Sequence, residues 1–326
     1  MNRGTALILT TIAVLGAAAT LPAGNATGQQ SPPAWAYPVN PPGIQPAADD
    51  GTLNQVPGSA AAFSRTQLRD LFNVPDWHPG DHPAMPEIVS HGRKPNTLAC
   101  GFCHLPTGYG RPENSSLAGL PVAYIVQQLA DFKSGARKTS VPARLPAKLM
   151  TSVAESVTDG EVAAAAAYFS GLKPKSHVRV VETNTVPSTY VTGWILAKSR
   201  TGGMEPIGQR IIEVPEDVER FELRDGRTEF TAYAPIGSIA KGEALVRTGG
   251  AGKTIQCGIC HGSDLKGLGL LPGIASRSPS YIMRQLYDLQ SGARAGAGSA
   301  LMKPVVAKLS EEDMVSIAAY LASRVP

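Results

Sequence analysis

The sequence predicts a mostly α chain. Two tandem copies of one small helical domain are separated by a small β-rich insert and preceded by an extended Pro-rich arm. Three observations carry that expectation. "YIVQQLADFKSGAR" from Tyr124 matches "YIMRQLYDLQSGAR" from Tyr281 at 9 of 14 positions, an offset of 157 residues. Both segments set Tyr, Ile and Leu on one face at helical spacing. Between the copies, "HVRVVET", "YVTGWILA", "QRIIEVP" and "TEFTAYAP" carry β-branched and aromatic residues divided by Gly, Pro and Asp, which is a strand pattern.

The elements follow in chain order. After Met1-Asn2-Arg3, "ALILTTIAVLGAAA" is apolar, too short to span a bilayer comfortably, and followed by small residues. That is the pattern of a secretory signal peptide, here residues 1–26, with sites after Ala19 and Ala23 also open. No charged stop-transfer flank follows, so a cleaved, periplasmic chain without a permanent membrane span is expected. Residues 27–75 ("SPPAWAYPVNPPGIQP" among them) read as a stiff arm with little regular structure, serving packing or docking rather than chemistry.

The first domain, 76–174, contains "PAMPEIVSHG", whose prolines suit a helix start. Its last helix opens with a capping box, Thr158 to Glu161, and is stopped by Gly171 and Pro174. The insert spans 175–235, and its apolar runs "GWILA" and "RIIEV" must be buried against something. In the second domain, 236–326, "SIAKGEALVRTGG" makes a short helix, and Ser310 to Asp313 caps the last one. The repeat also pairs Val89, Gly92 and Thr97 with Val246, Gly249 and Thr254. After a five-residue length difference it pairs the stretch from Met150 with that from Met302.

Composition narrows the function. The net charge of +4 comes from 30 basic and 26 acidic residues without a dense basic block, which argues against nucleic acid as partner. The four cysteines are Cys100, Cys103, Cys257 and Cys260, all within two copies of C-x-x-C-H. Three chemistries compete for such a motif: a redox dithiol, half a zinc site, or a covalent haem anchor. A dithiol of the thioredoxin type wants a βαβ setting, whereas these copies are helical. A shared zinc site would join ligands from two copies that duplication makes self-contained. Covalent haem accounts for every feature: two thioethers hold the macrocycle and the adjacent His104 or His261 becomes an axial ligand. Haem also supplies core to a small unit poor in aromatic residues.

The sixth ligand must come from elsewhere. Met150 and Met302 each lie eight residues before a helix cap, just ahead of the last helix, and suit that role. In the first copy His78, His82, Met85 and His91 compete.

Cys100-Gly101-Phe102-Cys103-His104 with Met150, Cys257-Gly258-Ile259-Cys260-His261 with Met302, and terminal helices ending "AAYF" and "AAYL" resemble tandem class I cytochromes c of the dihaem, cytochrome c4-like kind. The resemblance covers about residues 83–172 and 236–326 and leaves out the arm and insert. It implies two covalently bound haem c groups, and a downstream proline whose carbonyl orients each imidazole, Pro272 in the second copy and Pro112 in the first. It implies a non-enzymatic carrier of single electrons, taking them from a dehydrogenase or cytochrome complex and giving them to an oxidase or another cytochrome. A dihaem peroxidase and a cytochrome subunit of a dehydrogenase are the alternatives.

Overall fold

A computed structural model describes residue 1, residues 31–43 and residues 47–326. The expected signal peptide, apart from residue 1, and its cleavage positions lie outside the described residues.

In the arm, α1 (Arg65–Arg69) is capped by Ser64, whose side chain accepts from Gln67 N while Gln67 answers onto Ser64 N. The first repeat supplies α2 (Glu87–Ser90), α3 (Cys100–His104), α4 (Val122–Lys133), α5 (Leu145–Ser156) and α6 (Asp159–Gly171). The insert carries β1 (Val178–Glu182), β2 (Thr185–Pro187), β3 (Thr189–Thr192), β4 (Ile195–Lys198), β5 (Met204–Pro206), β6 (Ile212–Pro215), α7 (Val218–Glu222) and β7 (Phe230–Ala234). The second repeat runs through α8 (Ser238–Thr248), α9 (Gly258–His261), β8 (Gly267–Leu268), β9 (Leu271–Pro272), α10 (Pro279–Ser291), α11 (Lys303–Val306) and α12 (Glu311–Ala322).

Local chemistry fixes these limits. Thr158 and Ser310 build complete capping boxes with Glu161 and Asp313, satisfying first-turn N–H groups that have no helical partner. Gly249 closes α8 at a φ of +75°, a left-handed conformation that costs glycine nothing. Helices α8 and α12 cross closely: a Cβ at Gly242 would collide with the Ser316 carbonyl.

Each repeat contributes a core, but the two differ in what joins them. Val89, Ile125, Ala166 and Phe169 anchor a core of the first repeat alone. In the second, Met283, Val315 and Tyr320 share one continuous core with Ile195, Ile211, Phe221 and Phe230 of the insert. The insert sheet runs β1–β7–β6, with β1 parallel to β7 (Val178 opposite Phe230) and β6 antiparallel to it (Ile212 opposite Tyr233). Its apolar runs are buried as their composition requires, Ile195 and Ala197 in one and Ile211, Ile212 and Val214 in the other.

The arm is tied down. Ala36 and Tyr37 sit in the second core, Tyr37 Oη donates to Asp288 Oδ1 at 2.7 Å, and Trp35 Nε1 donates to Glu311 Oε1 at 3.0 Å. Residues 32–326 accordingly form one compact unit. Among the described residues no helix is long and apolar enough to cross a membrane.

Candidate functional site

Helix α3 is little more than one turn, so Cys100, Cys103 and His104 emerge along one side of it. They line a cavity of about 450 Å³, whose wall also includes Leu71, Ile125, Phe169 and Met150. That volume lies in the range of cofactor pockets. Met150 projects from within α5 rather than from a loop ahead of it. None of His78, His82, Met85 and His91 lines this wall. His78 Nε2 instead lies 3.0 Å from Asp225 Oδ1, and His82 Nε2 lies 3.2 Å from Asp76 Oδ1.

The imidazole is oriented from behind. His104 Nδ1 donates to the Ser115 carbonyl at 2.8 Å, which leaves Nε2 as the ring atom with a free lone pair. His261 Nδ1 donates to the Pro272 carbonyl at 2.7 Å. The expectation for Pro272 therefore holds, and that for Pro112 is corrected. Ser115 stands eleven residues after its histidine, as Pro272 does after His261, and the Pro112 carbonyl accepts from Arg284 instead. Hairpin geometry, not the identity of the residue, fixes which carbonyl faces the ring. The Arg111–Asn114 bridge in the first repeat corresponds position for position to the Leu268–Leu271 pair of β8 and β9.

In the second repeat α9 carries Cys260 and His261, with Cys257 as its N-cap. Cys257 and Met302 pack against the same core. Met302 sits between a 3-10 turn (Ala297–Leu301) and α11, so the two methionines occupy different local backbones.

Electrostatics speak against a dithiol. Burial pushes the Cys100 thiol up to about 12 and the Cys257 thiol to about 11, where a redox-active pair needs a stabilised thiolate. All four thiols are unpaired with one another. Among the described residues no three His, Cys, Asp or Glu side chains converge as a zinc set would. Burial also holds both motif histidines below the usual imidazole range, which keeps them neutral, the form that can donate to a metal. The donor set and the apolar wall of the first repeat thus fit an iron macrocycle anchored through sulfur.

Several wall residues were not singled out from sequence. Arg137, Tyr281 and Arg284 come from the repeated helix and turn, Trp194 and Arg224 from the insert, and Leu71 from the arm. The arm and insert therefore also pack against the wall of the site. Arg137 and Arg294, equivalent positions of the repeat, form a crossed network. Arg137 donates to Gln128, Tyr281 and Gln285, while Arg294 donates to Gln285, Tyr124 and Gln128. The shared "SGAR" and the flanking Tyr and Gln were the available signal.

No protein-family model matches the chain. It is 26% identical over 234 residues to a thiosulfate dehydrogenase electron acceptor of Thiomonas intermedia, covering 71% of this chain and 80% of that one. It is 25% identical over 228 residues to cytochrome c4 of Azotobacter vinelandii, covering 68% and 82%. Over 89 residues it is 37% identical to cytochrome c-554(548) of Halomonas halodenitrificans, covering 27% of this chain and 98% of that one. A solved thiosulfate dehydrogenase (TsdBA) from Marichromatium purpuratum aligns with a TM-score of 0.47 at 26% identity, over 70% of this chain and only 36% of that longer one.

Proposed function

The chain belongs to the c-type cytochromes and carries two covalently bound haem c groups, and from that premise we propose that it moves single electrons between a respiratory donor and an acceptor in the periplasm. Haem iron supplies the one-electron chemistry when bound. Cys100 and Cys103 hold the first group and Cys257 and Cys260 the second. His104 and Met150 would hold the iron in one repeat, His261 and Met302 in the other. The domain division at 76–174, 175–235 and 236–326 follows the repeat. Export of the mature chain rests on the apolar stretch after Arg3.

One observation carries the reading best: Cys100, Cys103, His104 and Met150 share a single cavity from which the four competing side chains are absent. The residues divide the work. Ser115 and Pro272 fix each ring through Nδ1, so that Nε2 points where a metal can use it. Methionine's soft thioether favours the reduced iron. Leu71, Ile125 and Phe169 would keep water from a bound group, and Arg137 places a cation in the wall, where it could meet an anionic part of that group. With a methionine available to each iron, neither repeat would keep the open position that a peroxidase needs. The likeness to the thiosulfate dehydrogenase electron acceptor of Thiomonas intermedia favours a second reading, in which the donor is a dehydrogenase that this chain serves as electron acceptor.

Denaturing mass spectrometry of the mature protein should show two haem additions. Met302→Ala should abolish the sulfur-to-iron absorption band of the second haem and lower its potential, and Met150→Ala should do the same for the first. An unchanged spectrum and potential in either variant removes that methionine from the ligand set. A dehydrogenase that co-purifies with the native protein and reduces it would decide for the second reading.

A further inference from the structure

The 157-residue offset pairs side chains beside the first C-x-x-C-H with side chains beside the second, and at three of these pairs the first member is buried and the second bare. Phe102 is 3% exposed and Ile259 is 63% exposed. Arg111 is 6% exposed and Leu268, its equivalent, 57%. Glu113 is 9% exposed and Leu270 70%. The backbone does not explain this, because both repeats build the same hairpin after the motif. What differs is a cover. The turn of the insert that includes α7 lies on the first face: the Arg224 guanidinium stacks 3.6 Å from the centre of the Phe102 ring and donates to the Phe102 carbonyl at 2.8 Å. Arg111 in turn stacks 3.8 Å from the Phe221 ring centre and donates to the Phe221 carbonyl at 3.2 Å. Trp77 Nε1 donates to the Leu223 carbonyl at 2.7 Å, and the Arg227–Asp81 ion pair at 2.7 Å pins the far end.

We propose that the insert closes the protein-docking face of the first haem, so that electrons enter and leave the molecule through the second haem, where Ile259, Leu268 and Leu270 form the contact surface for a redox protein presenting an apolar patch. The proposal rests on the dihaem reading above. The first repeat itself shows that this face takes a protein cover, since there the Phe221 ring lies on Arg111, the equivalent of Leu268, and Arg224 lies on Phe102, the equivalent of Ile259. Three bulky apolar side chains held bare on one short hairpin and its neighbouring helix are too concentrated to be incidental surface. A contact built on three side chains suits a brief encounter rather than a permanent complex, as repeated electron exchange demands. The insert is held by the core of the second repeat, so its turn is a fixed cover on the first.

The test uses the full-length holoprotein and, as probe, a pre-reduced monohaem c-type cytochrome of lower potential. Mixing is done at about 1 M salt, where the screening length is ~3 Å and introduced charges act only at contact. In the variant Ile259→Glu/Leu270→Glu, reduction of both haems should slow about tenfold or more, the equivalent of roughly 1.4 kcal/mol of lost docking. Dithionite, small enough to need no docking face, should reduce wild type and variant alike. Adding Arg224→Ala to that variant uncovers Phe102 and should restore fast reduction of both haems, because the first haem gains a face of its own and electrons pass between the two. The proposal is overturned if half the amplitude stays fast in the Ile259→Glu/Leu270→Glu protein, or if neither haem slows. A haem content other than two per chain would instead overturn the dihaem reading itself.

Discussion

Tyr281 shows how single residues couple the two repeats. Its hydroxyl is buried at the wall of the first cavity and accepts from Arg137 at 2.8 Å. Burial alone would raise its pKa, but the Arg137 and Arg294 guanidiniums outweigh that and bring it down to about 8. A phenolate forming there places negative charge beside the first haem and favours oxidised iron. The first haem's potential should therefore fall as pH rises through about 8, and Tyr281→Phe should flatten that dependence while leaving the second haem unmoved. A redox titration at several pH values reads both. Stability follows the same sign. The folded pKa is depressed from the ordinary value near 10, so the contribution is fully present above about pH 10 and is lost as pH falls through about 8.

At the scale of elements, the last helix of the second repeat depends on its first turn. The Asp313 carboxylate accepts from Ser310 N at 2.9 Å and Ser310 Oγ at 2.8 Å, with Lys241 Nζ at 3.0 Å and Lys253 Nζ at 3.1 Å. Burial pushes its pKa up, but these partners overcome that and hold it well below the usual carboxylate range. Such stabilisation is present above about pH 4, the unfolded value, and is lost only as pH falls through the lower folded value. Ser310→Ala should cost about 1 kcal/mol at neutral pH. In Asp313→Asn the stability curve should be flatter on its acid side. Thermal melts across pH check both. The hairpin after each motif makes a second point at this scale: it selects the carbonyl that orients the imidazole, and so tolerates Ser115 in one repeat and Pro272 in the other.

For the whole molecule, the arm is a strap whose two halves do different work. Trp35, Ala36 and Tyr37 are bound into the second repeat and insert, while Val56, Leu68 and Trp77 form a small cluster against Leu223. Deleting residues 31–43 removes a fully buried tyrosine and should destabilise the fold by about 3–5 kcal/mol or more, as loss of a large core aromatic does. Both haem spectra should stay unchanged. A deletion reaching Asn73 also takes Leu71 from the first cavity wall, and there the first haem's spectrum alone should shift. Absorption spectra and melting curves of the two truncations separate these effects.

The sequence by itself determined the duplication, the helices around each motif, both capping boxes, the strand character of the insert and the chemistry of C-x-x-C-H. All of these are written in neighbouring residues or in a fixed offset, where local periodicity and spacing suffice. Only the tertiary structure decided which of Met150, Met85, His78, His82 and His91 faces the first cavity, because that depends on how α5 packs across from α3. It alone turned the carbonyl of Ser115, not Pro112, toward His104, since a hairpin's register is set by pairing and not by which residue is a proline. Nor could spacing reveal that Arg224, 122 residues beyond Phe102, would cover the first motif and leave Ile259 bare in the second. Two copies of one repeat acquire different exposure at these positions because only one lies beneath a segment that the repeat does not contain.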